Sequence, residues 1–460
     1  MLSKYLEAAE STDTIKCTGR ITRVGALLIE SRGPQAVIGE ICRIEAPKGR
    51  GIIFAEVVGL RDETVQLMAY GEIDGIEVGD RVVASGSRLE VPVSDKLRGR
   101  ILDCMGNPAD GKGGINTLLR YPALADPPDA ATRPRILQRL STGVRSIDGF
   151  LSVGRGQRIG IFAGSGVGKT TLLGMIARNT AADVNVVALI GERGRELNDF
   201  IANDLGPEGL ARSVLVATPS NAPPLARLRG AYSATAIAEY FRDQGLDVML
   251  LFDSVTRFAR AQREIGLASG EPPATRGYTP SVFDSMPKLL ERSGTSEKGS
   301  ITGFYTVLVE GDDMDEPIAD TVRGILDGHI VLSRRLAQAY HYPAVDVPAS
   351  VSRLMSKVSG PMTNKVAGYI RHLMAVYAEA EDLINVGAYH AGTNPAIDEA
   401  VAKREAIESL LIQEVEEKSP IRETLARMSG IAGMEIPPEE ISVYERGGGL
   451  EAVPASDVSA

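Results

Sequence analysis

The 460-residue sequence predicts an α/β fold with a parallel sheet, a small β-barrel before it and a helical domain after it. Three observations predict this. Between about residues 155 and 335, nearly continuous apolar runs alternate with helical stretches, as parallel strands covered on both faces do. Before about residue 90, short β-rich runs are punctuated by glycine, as in a small barrel or sandwich. After about residue 360 the apolar period becomes helical.

Taken in order, residues 1–10 place Leu2, Tyr5, Leu6 and Ala9 at helical spacing, with Lys4, Glu7 and Glu10 between them. That is a short amphipathic helix rather than the apolar heart of a signal peptide. The barrel, assigned to residues 1–90, draws on runs at 21–24, 26–29, 52–59 and 65–70. Residues 121–134 (YPALADPPDAATRP) have no apolar period and too much proline for a helix, so they read as an ordered crossing segment. The central domain, 91–360, takes its strands from 158–162, 184–190, 213–217, 248–253, 301–309 and 329–332. The helical domain, 361–445, rests on the periodic stretch 366–380 and the Ala-, Glu- and Leu-rich stretch 396–417. Residues 446–460 are rich in Gly, Ala and Ser and read as a disordered tail.

The formal net charge of −10 disfavours non-specific binding to nucleic acid, and no nucleic-acid partner is expected. Cys17, Cys42 and Cys104 form no C-x-x-C pair, which fits a reducing compartment. The four histidines make no zinc motif. No run approaches the length of a membrane span, so a membrane role would be peripheral.

The strongest chemical signal begins at Ala163 and continues through Gly164, Ser165, Gly166, Val167, Gly168, Lys169, Thr170 and Thr171. It follows a predicted strand and opens a predicted helix. Phosphates need backbone N–H groups converging on one concavity at a helix N-terminus, and the glycines permit the tight turns and close approach. Lys169 reaches the β- and γ-phosphates, and the Thr170 hydroxyl suits a Mg²⁺ ion. The strict pattern starts with glycine, where this chain has Ala163. The bland reading is a glycine-rich turn with a chance lysine.

Two carboxylates follow at strand ends. Asp253 closes the apolar run LDVMLLFD, as an acid holding the Mg²⁺ shell would, and an acid capping the next helix would look the same. Arg257 lies one turn beyond and suits either a γ-phosphate contact or an ion pair within the fold. In Ile190-Gly-Glu192-Arg193-Gly-Arg195-Glu196, Glu192 stands at the mouth of a parallel strand, where a base that polarises the attacking water belongs. A solvated charged turn is the alternative there. Arg193 is a further candidate for the site. The acidic loop from Glu310 to Glu316 lacks calcium-binding spacing and reads as solvated by default.

These segments together resemble the hexameric ATPases related to the catalytic subunit of rotary ATP synthases, and within them the type III secretion and flagellar export branch. The resemblance runs from about residue 15 to 400. It rests on VGRGQRIGIFAGSGVGKTTLLGMIAR, LIGERGRELNDFI, AQREIGLASGEPPATRGYTPSVFDSMPKLLERSG, GSITGFYTVLVEGDDMDEPIADTVRGILDGHIVLSRRLA, HYPAVDVPASVSRLMS and EDLINVGAYHAGTNPAIDEAV. It implies a RecA-like P-loop core, ATP and Mg²⁺ as ligands, and Glu192 as the catalytic carboxylate. It also implies that Tyr342 packs on the adenine ring and that Arg353 is an arginine finger given to a neighbouring copy. One chain carrying both Glu192 and Arg353 can build every site of a homohexamer.

The implied work is export of proteins by unfolding them or releasing them from chaperones, in the cytoplasm at the inner face of the cell membrane. The implied partners are a stator protein at residues 1–10, a coiled-coil stalk facing the loop at Glu310–Glu316, a membrane export gate, and export substrates with their chaperones. Residues 1–10 read equally as a frayed end. The rival functions are a virulence-type secretion ATPase, a synthase catalytic subunit, a ring-shaped RNA translocase and a non-catalytic nucleotide-binding scaffold. The acidic lever segment of synthase β subunits does not appear. Tyr5, Phe54 and Tyr70 are the only aromatics before residue 91, too few for an RNA-stacking platform.

Overall fold

A computed structural model describes residues 17–49 and 51–445. The helix expected at residues 1–10 and the tail expected at 446–460 lie outside the described residues. Six strands close a barrel in the order β1-β2-β5-β4-β3-β6. They are β1 (Thr18–Val24), β2 (Ile29–Arg32), β3 (Glu40–Ala46), β4 (Gly51–Arg61), β5 (Thr64–Ala69) and β6 (Arg81–Arg88). Strand side chains alternate faces, so Ile21, Ile29, Ile44, Val57, Leu67 and Val82 fill the interior while charged neighbours face out.

The expected strand at 26–29 is mostly a hairpin turn. The Gly25 N–H donates to the Leu28 carbonyl at 2.8 Å, and only Ile29 enters the sheet. Strands β3 and β6 were not expected. Each mixes charged or small residues into its apolar pattern, and each is held by pairing with the other.

The central sheet contains β7 (Arg100–Leu102), β8 (Arg158–Ala163), β9 (Val184–Ile190), β10 (Ser213–Thr218), β11 (Asp247–Asp253), β12 (Ser300–Leu308), β13 (Gly328–Leu332) and β14 (Val345–Ser352). Their order across the sheet is β14-β13-β8-β12-β11-β9-β10-β7. The pairings along this path are parallel, except that β14 runs antiparallel to β13. All seven residues of β9 are buried, as a strand covered on both faces requires. The six strands expected here fall within a residue or two of their observed bounds. Consecutive strands β8 and β9 are separated by β12 and β11, so their loops diverge at the carboxyl ends and open a crevice.

Helix α1 (Lys169–Asn179) follows β8, α2 (Pro224–Asp243) follows β10 and α3 (Val255–Ala268) follows β11. The C-terminal part is helical: α4 (Pro361–Asn385), α5 (Pro395–Leu411), α6 (Ile421–Ala432) and α7 (Pro438–Glu445). Helix α5 stops at Leu411 rather than continuing to 417. There the backbone N–H of Gln413 donates to the Tyr342 carbonyl at 2.9 Å. The Gln413 side chain also bonds the Arg145 N–H and the Gly143 carbonyl, both at 2.9 Å. These contacts pull the chain out of the helix and onto the central domain.

Candidate active site

Strand β8 delivers the phosphate loop. Ala163 is still inside the sheet, paired with Leu308 on one side and Leu332 on the other. A residue in extended backbone needs no glycine, which explains the alanine at this position. The glycine requirement falls on Gly166 (φ 78°) and Gly168 (φ 87°), both in the left-handed region that disfavours a side chain. Gly164 and Val167 are buried and anchor the loop, while Ser165 and Gly166 are exposed. A Cβ on Gly166 would meet no atom within 4 Å, so the loop's tip at this residue is open. Gly168 caps α1, whose first turn holds Lys169, Thr170 and Thr171. Free N–H groups and the positive end of the helix dipole meet there, a setting that holds phosphate.

Four charged side chains gather beneath this loop. The Lys169 ammonium donates to Asp253 Oδ1 at 2.5 Å and lies 3.6 Å from Glu192 Oε1. Arg257 Nη2 donates to Glu192 Oε2 at 3.0 Å. Asp253 is not the cap of the following helix. Ser254 takes that role, accepting from the Arg257 N–H, and leaves the Asp253 carboxylate to the crevice. Reading the sequence left Arg257 between a phosphate contact and an ion pair; the ion pair is formed, and its partner is Glu192.

Two buried carboxylate oxygens, Asp253 Oδ2 and Glu192 Oε1, accept no hydrogen bond from the described residues. Buried unsatisfied acceptors are costly and need an account. Thr306, which sequence reasoning missed, donates its hydroxyl to Asp253 Oδ1 at 2.6 Å. Its only signal in the sequence is a hydroxyl within an otherwise apolar strand end.

The remaining candidates are more spread out. Thr170 is half-buried in the first turn of α1. Thr171 is half-buried in the same turn. Arg193 points outward, its side chain 78% exposed and 3.6 Å from Glu196, and does not join the cluster. Tyr342 is 38% exposed and packs beside the loop, its ring 3.5 Å from where a Gly168 Cβ would stand.

Arg353 follows edge strand β14. It is exposed, 3.5 Å from the Arg323 carbonyl, and makes no ion pair among the described residues. The chain does not bring it to its own phosphate loop. The acidic loop is not merely solvated: Glu310 pairs with Arg260, and Asp313 pairs with Arg276 at 3.1 Å.

The chain is 57% identical over 436 residues to the flagellum-specific ATP synthase of Treponema pallidum, covering 95% of this chain and 98% of that one. It is 48% identical over 413 residues to the type 3 secretion system ATPase of Xanthomonas euvesicatoria, covering 90% and 93%. The chain belongs to the flagellar and type III secretion export ATPases. Its residues 21–86 match the β-barrel domain of the ATP synthase alpha/beta family, and 143–352 match that family's nucleotide-binding domain. Residues 361–430 match the T3SS EscN ATPase C-terminal domain. Among solved structures it superposes on the assembled ATPase EscN in complex with its central stalk EscO, from enteropathogenic E. coli. That match has a TM-score of 0.84 at 44% identity and covers 90% of this chain and all of that one.

As a P-loop ATPase of this family, the protein binds ATP. Burial, the nearby Asp253 carboxylate and a hydrogen bond with Glu196 push the Glu192 carboxyl up to about 7, against the pull of Lys169 and Arg257. A carboxyl poised near neutrality suits a group that must hold and polarise water. The unpartnered Asp253 Oδ2 is a carboxylate oxygen of the kind that fits Mg²⁺.

Proposed function

We propose that this ATPase drives flagellar protein export as a homohexamer whose sites lie between adjacent copies. The observation that carries this is the division of the machinery. Lys169, Asp253, Glu192 and Arg257 are gathered at the phosphate loop, while Arg353 stands exposed beyond the sheet edge with no acid partner among the described residues. In this reading Lys169 and the loop amides hold the β- and γ-phosphates, and Tyr342 packs on the adenine. Glu192 orients the attacking water, with Arg257 fixing its carboxylate. Arg353 of the neighbouring copy neutralises charge developing on the γ-phosphoryl group, an effect worth about 10³–10⁵ in rate. Arg193, facing solvent, belongs to the surface next to the site. Thr170 and Asp253 would hold Mg²⁺, which supplies electrostatic stabilisation of the phosphate oxygens.

Complementation tests the arrangement. Arg353→Ala and Glu192→Ala are each expected to be inactive alone. Mixed and allowed to assemble, they should regain activity, because some interfaces then carry both intact groups. If mixing restores nothing although both variants assemble, sites do not lie between copies.

The flagellar assignment over a virulence system leans on the phrases from Ile265 to Glu271 and from Gly311 to Met314, and on the Treponema relative. The subunit divides near residues 90 and 360. In this reading it works in the cytoplasm at the inner face of the membrane; among the described residues no helix is long and apolar enough to cross a membrane. Residues 1–10 dock a stator protein. The loop at Glu310–Glu316 meets a coiled-coil stalk; the similar EscN has been solved in complex with its central stalk EscO. Substrates stripped from chaperones pass to a membrane export gate.

A further inference from the structure

Thr306 brings to the site a buried hydroxyl for which the proposed reaction has no part. Thr306 is 0% exposed, and its hydroxyl lies 2.6 Å from Asp253 Oδ1, the usual length of a charge-assisted O–H···O⁻ bond. Strand order puts it there. Strand β12 runs between β8, which carries the phosphate loop, and β11, which ends in Asp253. In register, Thr306 is the partner of Ile161, and its neighbour Tyr305 is the partner of Phe252. The end of β12 is tied down on both sides. The Val309 N–H donates to the Ala163 carbonyl at 3.0 Å, and the Leu308 N–H donates to Thr256 Oγ1 at 2.9 Å. The hydroxyl is therefore held on a rigid part of the sheet.

The two oxygens of Asp253 are treated unequally. Oδ1 receives both Lys169 and Thr306, while Oδ2 is buried and receives nothing from the described residues. Lys169 cannot keep its bond to Asp253 undisturbed while it also serves the phosphates of bound nucleotide. Once it turns to them, Thr306 is the remaining donor on Oδ1. A carboxylate with no fixed donor is free to rotate about its Cβ–Cγ bond, and either oxygen can then face the crevice.

We propose that Thr306 is a positioning residue: it pins Oδ1 of Asp253 so that Oδ2 alone is presented to the hydrated cation that accompanies ATP. The proposal rests on the reading of Asp253 as the Mg²⁺-side acid. Groups that orient a metal's partners are typically worth about 10–100-fold in metal affinity.

The test measures binding of a fluorescent ADP analogue to the full chain, in EDTA and across a Mg²⁺ titration, with no turnover involved. In Thr306→Val the EDTA affinity should match the parent, while the Mg²⁺ needed for half of the metal-dependent gain should rise about tenfold or more. Thr306→Ser, which keeps the hydroxyl, should return toward the parent. Thr306→Ala replaces Thr306→Val if the latter loses its melting transition.

An unchanged Mg²⁺ requirement in a folded Thr306→Val, or a Thr306→Ser no better than it, overturns the proposal. Asp253→Asn separates the two claims. If it loses the Mg²⁺-dependent gain while Thr306→Val keeps it, only the role of Thr306 fails. If Asp253→Asn keeps the gain as well, the reading of Asp253 fails and this proposal goes with it.

Discussion

Glu192 owes its chemistry to its neighbours. Buried beside Asp253, it holds its proton up to about pH 7 although Lys169 and Arg257 lie close. A carboxyl raised in the folded state stabilises that state most fully below the ordinary carboxylate value, and the contribution is lost as pH rises through the folded value. Nucleotide-free protein should therefore lose melting temperature between about pH 4.5 and 7 through this group. Glu192→Gln should flatten that part of the profile. In the role proposed for Glu192, polarising the attacking water, catalysis needs the other form. The kcat/KM of the parent should rise with pH through an inflection near 7 and level above it, while Glu192→Gln falls about 10²–10⁴-fold. An inflection that survives in Glu192→Gln would assign the titration to another group. At this scale the acids and the lysine were readable, because each sits at the end of a strong local pattern. The pairing of Arg257 with Glu192 was not, since a residue's ion-pair partner is set by the fold around it.

Among the elements, the phosphate loop was the most legible. Strand, glycines and helix are contiguous, and local sterics suffice to place them. Helix α4 is a different case. Its N-cap residue, Gly360, offers no side-chain acceptor, and the free N–H groups are served from elsewhere. The Glu440 carboxylate, on α7, accepts from the Met362 and Thr363 N–H groups at 3.0 and 2.9 Å and from the Thr363 hydroxyl at 2.7 Å. This is a helix cap supplied by a residue 77 positions away, where no capping rule looks. A cap is typically worth about 0.5–2 kcal/mol, and a negative charge at a helix N-terminus adds to it. Glu440→Ala should lower the unfolding free energy of the helical part, read from the shift of its urea midpoint, by about 1 kcal/mol, with Glu440→Gln losing less. An unchanged midpoint in both would mean that water serves these amides equally well.

Across the whole molecule, a buried ionic knot joins the barrel to helix α2 of the central domain. Glu56 on β4 takes two hydrogen bonds from Arg229 on α2 and one from the Tyr70 hydroxyl at 2.6 Å. Burial, with Glu56 close by, drives the Tyr70 hydroxyl well above its ordinary value, so it remains a donor. Removing one partner strands a buried charge, at a typical cost of about 3–5 kcal/mol, whereas replacing both with apolar groups often costs little. Glu56→Met alone should be strongly destabilising in urea unfolding. Together with Arg229→Met it should recover most of the loss. Additive losses in the double variant would show that the pair does not act as a unit.

The amino-acid sequence alone determined the contiguous features: the alternating strands and helices, the phosphate loop with its lysine, and the acids at strand ends. Each depends on neighbours within a few positions, where periodicity and backbone sterics act directly. Tertiary structure decided what meets across the sheet. The order β8-β12-β11 brings Thr306 to Asp253 across 53 positions of chain, and closure of the barrel gives β3 and β6 their partners. Apolar patterning says that a strand is buried without saying beside which strand it lies. That choice is made by packing the whole set of strands and helices together, and these contacts follow from it.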